Sequence, residues 1–127
     1  MAEQETIFDK IVRKEIPATV VYEDDLCLAF KDVNPVAPFH VLLIPKKKEG
    51  MDRLINATEK NEKVLGHMML KAGEIARNNG LKDGGFRIVI NDGPQGGQTV
   101  HHLHLHIIGG AQMYWPPGTG KSEGVKH

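Results

Sequence analysis

One pattern constrains this chain more than any other: histidine and hydrophobic residues alternate through residues 100–108, Val-His-His-Leu-His-Leu-His-Ile-Ile. Because alternate side chains of a β-strand face opposite ways, the pattern predicts a strand with His102, His104 and His106 on one face. The leucines and the isoleucine between them form the other face, which is typical of a protein core. Three imidazoles in a row are costly to bury without partners, so we expect a functional site on the histidine face.

The remaining hydrophobic pattern predicts an α+β fold with an antiparallel sheet. Short β-type runs are separated by hairpin-length connections, and they cover residues 19–22, 27–30, 40–44 and 86–90. Two segments have helical spacing instead: a short one that begins near Thr6 and ends before Pro17, and a long amphipathic one over residues 58–78. Strands with helices segregated among them are typical of the α+β class.

Length and composition set broader limits. The 127 residues contain no linker or repeat and predict one domain over residues 1–127. Sixteen Lys and Arg balance sixteen Asp and Glu, which argues against stable binding of nucleic acid or of an anionic membrane. No run approaches about 18 apolar residues and the acidic start is unlike a secretory signal, so neither a membrane span nor secretion is expected. The single cysteine, Cys27, excludes an internal disulfide and favours the cytosol or nucleus.

Three interpretations of the histidine face compete. The first is a solvated polar strand, which the strict alternation disfavours. The second is a zinc site, because two histidines at i and i+2 can share one ion. His102 and His106 would lie about 13 Å apart along a strand, so a third zinc ligand would have to come from elsewhere. The third is a row of groups that serve an extended anion such as a phosphate, since histidine can be nucleophile, donor or acid near neutral pH.

The loop before the histidines favours the phosphate interpretation. Residues 91–99 read Asn-Asp-Gly-Pro-Gln-Gly-Gly-Gln-Thr and lead directly into the histidine segment. Glycines let backbone N–H groups turn inward to bind an anion. The loop matches neither a Walker motif nor a dinucleotide fingerprint, and alone it would be typical of a simple turn.

These motifs together resemble the histidine triad (HIT) family, and within it the Hint branch of nucleotide-binding proteins. The triad motif His-x-His-x-His is met by His102, His104 and His106 in residues 98–108. Further segments that resemble this branch are residues 7–11, 16–17, 30–35, 37–40, 44–46, the glycine loop and 112–118. The resemblance covers about residues 5–118, and residues 119–127 extend beyond it as an expected flexible tail.

The resemblance implies a five-stranded antiparallel sheet with two helices, extended across a homodimer. It implies hydrolysis of purine nucleoside 5′-phosphoramidates and related nucleotidyl conjugates to AMP or GMP, without a metal or other cofactor. His104 would attack the α-phosphorus and carry a covalent nucleotidyl group. His102 would support His104, His106 would donate to the phosphate oxygens, and His40 would face the same pocket.

The same resemblance assigns the nucleotide contacts. Asp32 would accept hydrogen bonds from the ribose hydroxyls, and Val33 would lie against the nucleoside. The phosphate would be held by a set from the glycine loop, which comprises Asn91, Gly97, Gln98 and Thr99. Trp115 would lie near the partner subunit's site.

Judged without the family, several of these residues have plainer explanations. Asp32 could cap a turn before Asn34-Pro35, and His40 could be a satisfied residue at a strand end. Lys46-Lys47-Lys48 is expected to be a solvated loop. Thr99 stands where the branch often has serine, and His101 stands where an aromatic residue is more usual and is expected to point away from the triad.

Two other functions stay open at this point. One is hydrolysis of dinucleoside polyphosphates, as in the neighbouring Fhit-like branch, although the Trp115-Pro-Pro sequence favours Hint. The other is a nucleotide-binding regulatory scaffold with little turnover. Deadenylation of DNA ends would need a basic face and a zinc finger that this sequence lacks. A cytoplasmic location, with or without a nuclear pool, is expected.

Overall fold

The computed structural model describes residues 4–118, so the predicted flexible tail over 119–127 lies outside the described residues. Its five strands are β1 (Val20–Glu23), β2 (Cys27–Lys31), β3 (Phe39–Pro45), β4 (Phe86–Val89) and β5 (Leu105–Gly109). They pair antiparallel in the order β1-β2-β3-β5-β4. The helices are α1 (Ile7–Val12) and α2 (Glu62–Asn78), and two 3-10 turns, Leu54–Asn56 and Glu59–Asn61, precede α2. The α+β class, the five-stranded antiparallel sheet and the two helices are therefore confirmed.

Local capping explains where the helices begin and end. At the start of α1, the Thr6 hydroxyl accepts a hydrogen bond from the Phe8 amide, and the Thr6 amide donates to the Asp9 carboxylate at 2.8 Å. This reciprocal capping box satisfies two amides that the first helical turn leaves unpaired. Helix α2 stops at Asn79, and Gly80 follows with φ of 85°, a left-handed conformation that suits glycine.

The two faces of the sheet carry different cores. Helix α2 covers one face, where the buried residues of the strands, the helix and the loop after it are Cys27, Ala29, Val41, Leu43, Met68, Ala72, Ile75, Ala76, Leu81, Leu105 and Ile107. Helix α1 covers the other face, where the buried apolar cluster is smaller and consists of Phe8, Leu28, Phe30, Leu42 and Ile44. The strand period of two sends neighbours such as Leu42 and Leu43 to opposite faces.

The last strand is shorter than the alternation predicts. β5 begins at Leu105, so the predicted strand over 100–108 is wrong for residues 100–104. In that stretch the His102 amide donates to the Val100 carbonyl and the Leu103 amide donates to the Met51 carbonyl, bonds that no strand ladder makes. Leu103 and His102 are nevertheless buried. Of the three triad histidines, only His106 lies inside a strand.

Among residues 4–118, no helix is long and apolar enough to cross a bilayer.

Candidate active site

The hydrogen bond on one ring nitrogen of His104 determines what the other nitrogen can do. His104 Nδ1 lies 2.8 Å from the main-chain carbonyl oxygen of His102, and this oxygen can only accept. Nδ1 therefore carries the ring hydrogen, and Nε2 presents a lone pair. Burial lowers the pKa of His104, which keeps that lone pair unprotonated at neutral pH. The arrangement suits a neutral nitrogen nucleophile.

A relay of bonds sets the opposite tautomer at His106. The Val36 amide donates to His40 Nδ1 at 3.1 Å, so His40 carries its hydrogen on Nε2. His40 Nε2 lies 2.9 Å from His106 Nδ1 and donates to it. His106 then carries its own hydrogen on Nε2, a buried atom with no partner among residues 4–118. This orphaned donor is available to an oxygen of a bound ligand.

Burial also keeps His106 uncharged. Removal from water, followed by repulsion from His104 and His40, lowers the pKa of His106 to about 4. The ring centroids of His104 and His106 are 5.1 Å apart, so a nucleophile and a hydrogen-bond donor stand side by side. That spacing allows both rings to reach one phosphate group, the nucleophile at phosphorus and the donor at an oxygen.

His102 is the most enclosed member of the triad. Its side chain is 0% exposed, and its Nε2 donates to the Pro45 carbonyl at the end of β3 at 2.8 Å. Phe8 of α1 meets the rings of His102 and His104 edge-on, with centroid distances of 5.7 and 5.1 Å. Burial lowers the pKa of His102. These contacts fix the ring, and with it the His102 carbonyl that orients His104.

Asp32 lies beside His40 at the end of β2. One of its carboxylate oxygens accepts from the Asn34 amide at 2.8 Å, which is the turn-capping bond that the sequence allows. The other oxygen lies 3.4 Å from His40 Nε2. Asp32 therefore caps the turn and also lies beside the hydrogen-bonded pair of His40 and His106.

A cleft of about 590 Å³ opens next to Asp32, between α1 and the sheet. Its lining is mostly apolar and comes from α1, residues 16–19, β2 and β3, together with Asp32 and Val33. Val33 is an apolar side chain that is 90% exposed. Trp115 follows β5, is 77% exposed and does not line this cleft.

The glycine loop is braced by bonds within it and by bonds to residues 52–55. Asp92 accepts from Arg53 at 2.8 Å and from the Ile55 amide at 3.2 Å. The Gln98 amide group accepts from the Gly93 amide and donates to the Asp52 and Val100 carbonyls. These bonds hold residues 91–99 in one shape before any ligand binds.

The predicted phosphate contacts of this loop divide into two groups. The Gly97 amide donates to the Pro94 carbonyl, and the Gln98 amide donates to the Gly93 carbonyl, so both predicted donors are already engaged. Within residues 4–118, the side chains of Asn91 and Thr99 make no hydrogen bond and stay free. Gly96 is needed for shape, because a Cβ there would lie 2.4 Å from the Asp92 carbonyl oxygen.

Two buried or bracing residues were not predicted from the sequence. Lys48, expected in a solvated loop, is 6% exposed and pairs with Asp9 at 3.0 Å. Arg53 holds the glycine loop from a segment that had attracted no prediction. His101 is exposed, whereas His102 beside it is buried. The sequence around Lys48 does not indicate that it is buried, because its partner Asp9 lies some 40 positions away, on α1.

The residue types that zinc prefers come together once at this site, in Asp32, His40 and His106. Tetrahedral ligation at about 2.1 Å would separate two ligand nitrogens by roughly 3.4 Å. His40 Nε2 and His106 Nδ1 are 2.9 Å apart and share a hydrogen. As arranged, the group is a hydrogen-bonded relay whose two nitrogens lie closer together than two zinc ligands would.

A second group of this kind lies away from the triad, in Asp24, Cys27 and His67. His67 Nε2 lies 2.6 Å from the Asp24 carboxylate, again a hydrogen-bond distance. Burial raises the pKa of the Cys27 thiol to about 12, which disfavours the thiolate that zinc requires.

Known proteins resemble this chain over most of its length. The HIT domain family model matches residues 13–113. The adenylylsulfatase HINT1 of Arabidopsis thaliana is 57% identical over 113 residues, which are 89% of this chain and 76% of that protein. A 14 kDa zinc-binding protein of Zea mays is 56% identical over 113 residues, 89% of this chain and 88% of the relative. The crystal structure of a HIT family hydrolase from Legionella pneumophila Philadelphia 1 superposes with a TM-score of 0.86 at 44% identity, covering 90% of this chain and 100% of that one.

Proposed function

The chain belongs to the HIT domain family and is a nucleotide hydrolase of that family, and we propose that it hydrolyses purine nucleoside 5′-phosphoramidates and related nucleotidyl conjugates to AMP or GMP. One observation carries the proposal: the opposite tautomers of two adjacent rings. His104 presents an Nε2 lone pair, whereas His106 presents an Nε2 hydrogen. The lone pair on His104 can attack a phosphorus atom, and the hydrogen on His106 can be donated to an oxygen of the same phosphate.

The reaction proceeds in two displacements. His104 Nε2 attacks the α-phosphorus and forms a P–N bond, while the bond from phosphorus to the substrate amine breaks and the amine leaves with a proton from solvent. Water then attacks the nucleotidyl-histidine, releases the nucleoside monophosphate and returns that proton. A neutral imidazole suits the first step, because the anionic oxygens on phosphorus repel anionic nucleophiles. The His106 hydrogen stabilises the charge that gathers on those oxygens.

The surrounding groups supply the binding. The cleft beside α1 takes the nucleoside, with Val33 on the base or sugar and the Asp32 carboxylate on the ribose hydroxyls. Asn91 and the Thr99 hydroxyl, both free of internal bonds, contact the phosphate and its leaving group. Gly97 and Gln98 act by holding the loop shape, because their amides bond within the loop. No metal or other cofactor takes part in this scheme.

We place the active unit in a homodimer whose sheets join edge to edge. β4 is an outer strand of the sheet, and Phe86 on it is exposed. Met69 and Leu70 on α2 are also exposed, which leaves an apolar area typical of an interface. Trp115 would reach the partner subunit's site in such a dimer. The protein would act in the cytoplasm on free nucleotides.

A second substrate class is favoured by one relative. The Arabidopsis protein named as an adenylylsulfatase shares 57% identity with this chain. Adenylyl sulfate carries a sulfate in place of the amine on the same phosphorus, so attack by His104 would be the same and only the leaving group would differ.

The test is AMP release from adenosine 5′-phosphoramidate and from adenylyl sulfate by three proteins: wild type, His104→Ala and His101→Ala. We expect loss of at least roughly 10³-fold in kcat for His104→Ala, because a nucleophile is removed. His101→Ala is the matched control, since this neighbouring histidine is exposed, and it should retain wild-type turnover. Each assay is run with and without EDTA.

The outcomes separate the alternatives. Turnover that resists EDTA and disappears in His104→Ala supports the proposal. Wild-type activity lost in EDTA would restore a zinc mechanism. Nucleotide binding without turnover of either substrate, or of a dinucleoside polyphosphate, would contradict the proposal in favour of a binding scaffold.

A further inference from the structure

A buried ion pair lies behind the triad and outside the roles assigned so far. Lys48 follows β3, is 6% exposed, and places its ammonium 3.0 Å from the Asp9 carboxylate of α1. The same ammonium donates to the Gln4 main-chain carbonyl. Its neighbour Lys47 is exposed. Burial of a lysine is costly unless a partner and hydrogen bonds compensate it, so a reason for this placement is needed.

Asp9 connects that lysine to the triad. One carboxylate oxygen accepts from the Thr6 amide in the capping box and faces Lys48. The other lies 3.7 Å from His102 Nδ1. This nitrogen is buried and has no hydrogen-bond partner within residues 4–118. A carboxylate next to an unpartnered imidazole nitrogen favours protonation of that nitrogen.

The charge on Lys48 opposes that protonation. Among residues 4–118, three charged or titratable groups face the His102 ring: Asp9 from α1, Lys48 from the segment after β3, and His104 from its own segment. Burial is the largest influence and lowers the pKa of His102; the hydrogen bond to the Pro45 carbonyl and the charge of Asp9 raise it, and Lys48 and His104 lower it. With the Lys48 ammonium paired to it, the Asp9 carboxylate attracts a proton to the ring less strongly, and the buried imidazole stays uncharged.

We propose that Lys48 is a positioning residue: its ion pair with Asp9 keeps His102 neutral, with the ring hydrogen on Nε2 bound to Pro45, so that no positive charge stands beside the nucleophile. This proposal rests on the proposed function, because its catalytic consequence concerns the attack by His104. As His104 attacks phosphorus, its own ring becomes positively charged, and a cationic His102 next to it opposes that step. In this proposal Lys48 and Asp9 influence the attack on phosphorus through His102.

The pair has a second consequence for geometry. Asp9 belongs to α1, a helix of six residues whose Phe8 contacts both His102 and His104. So short a helix is not stable alone and depends on its tertiary contacts. The bond from Lys48 to Asp9 therefore anchors the helix that lines the cleft to the end of the central strand.

The experiment uses four variants of the full chain: Lys48→Met, Lys48→Arg, the double variant Asp9→Asn/Lys48→Met, and Lys47→Met as the matched control on the adjacent exposed lysine. The first readout is imidazole ¹⁵N NMR of His102 across pH 5–8, which reports tautomer and protonation without any substrate. The second is the pH profile of kcat with adenosine 5′-phosphoramidate. Near-UV circular dichroism checks that each variant is folded.

In wild type, Lys48→Arg and Lys47→Met, we expect a neutral His102 with its hydrogen on Nε2. In Lys48→Met, His102 should gain a proton at higher pH, and kcat should fall about tenfold at pH 6 with little change above pH 8. The double variant should restore the neutral ring and the wild-type profile, because the carboxylate charge is also gone. A merely structural role would leave the double variant as impaired as Lys48→Met or more so.

Three results would overturn the proposal. They are unchanged His102 signals in Lys48→Met, a loss of kcat that is equal at every pH, and a double variant that does not recover. If Lys48→Met does not fold, a folded double variant with a neutral His102 supports the proposal, and a folded one with a cationic His102 contradicts it. Failure of the proposed function is distinguishable, since wild type would then lack turnover while the NMR comparison still decides the role of Lys48.

Discussion

The two faces of the sheet are built from the same strands and contain opposite chemistry. Under α2 the face is an apolar core in which helix and strands are equally buried. Under α1 the apolar cluster is less than half that size, and beside it lie the three triad imidazoles, the imidazole of His40, a buried lysine and a cleft. A seventeen-residue helix covers the first face, and a six-residue helix covers the second.

This difference between the two faces explains how a small domain can contain so many buried polar groups. Stability comes mainly from apolar area, at roughly 25 cal/mol per Å², and the α2 face supplies most of it. The α1 face can then bury histidines whose partners are carbonyls and one another. We therefore expect substitutions on the α2 face to lower stability and substitutions on the α1 face to lower turnover.

The largest effect on stability should come from Leu43→Ala. Leu43 is fully buried on the α2 face, so its truncation removes transfer energy and leaves a cavity. We expect unfolding in urea to show a loss of about 2–5 kcal/mol, with kcat of the folded fraction within twofold of wild type. Ile55→Ala, at an exposed side chain, serves as the control and should change stability by less than about 0.5 kcal/mol. Equal losses of kcat and stability would remove the distinction between the faces.

The next effect is a pH dependence that belongs to the α1 face. Burial lowers the pKa of His102, His104 and His106, the last to about 4. Between about pH 4 and pH 6.5 the unfolded chain binds more protons than the folded one, so stability falls as the pH is lowered through that window. His106 alone should account for about 2 kcal/mol between pH 7 and pH 5.

Thermal or urea unfolding at pH 5 and pH 7 measures this loss. His106→Asn should flatten the dependence, whereas His101→Asn, which changes an exposed ring, should leave it as in wild type. A steeper fall in His106→Asn than in wild type would show that the α1 face does not carry this linkage.

The smallest effect on stability should be that of Gly96→Ala, which tests the braced loop. The added Cβ would lie 2.4 Å from the Asp92 carbonyl oxygen, so the loop backbone must shift. We expect kcat/KM to fall about tenfold, close to 1.4 kcal/mol, with little change in melting temperature. Gly84→Ala is the matched control, because its Cβ would meet nothing within 4 Å. Unchanged kcat/KM in Gly96→Ala would mean that the loop shape does not matter to turnover.

Much of the fold could be predicted, because strand and helix periods are local. The helical spacing in residues 58–78 and the cap at Thr6 both correspond to observed helices. The alternation through residues 100–108 is misleading in its first half, since residues 102–105 are all buried and residues 100–104 lie outside the strand. A hydrophobic pattern indicates which side chains are buried. It indicates a strand only where a neighbouring strand is available to hydrogen-bond with the backbone.

The site could be predicted where residues are close in sequence and not where they are distant. The triad and the glycine loop are neighbours along the chain, and their roles stay predictions for the assays above. The partner of Lys48 is on α1 and the brace of the glycine loop is Arg53, and neither pairing leaves a mark in the local pattern. The ring tautomers likewise depend on carbonyls such as that of Pro45, which every residue possesses and no motif records.

The early end of β5 has an evolutionary consequence. Because residues 100–104 leave the ladder, the carbonyl of His102 is free to accept from the ring of His104 two positions later. The group that orients the nucleophile is thus a main-chain oxygen, which no point mutation can delete. A substitution at position 102 can change the ring that fixes the position of this oxygen. The acceptor itself remains, because it belongs to the main chain.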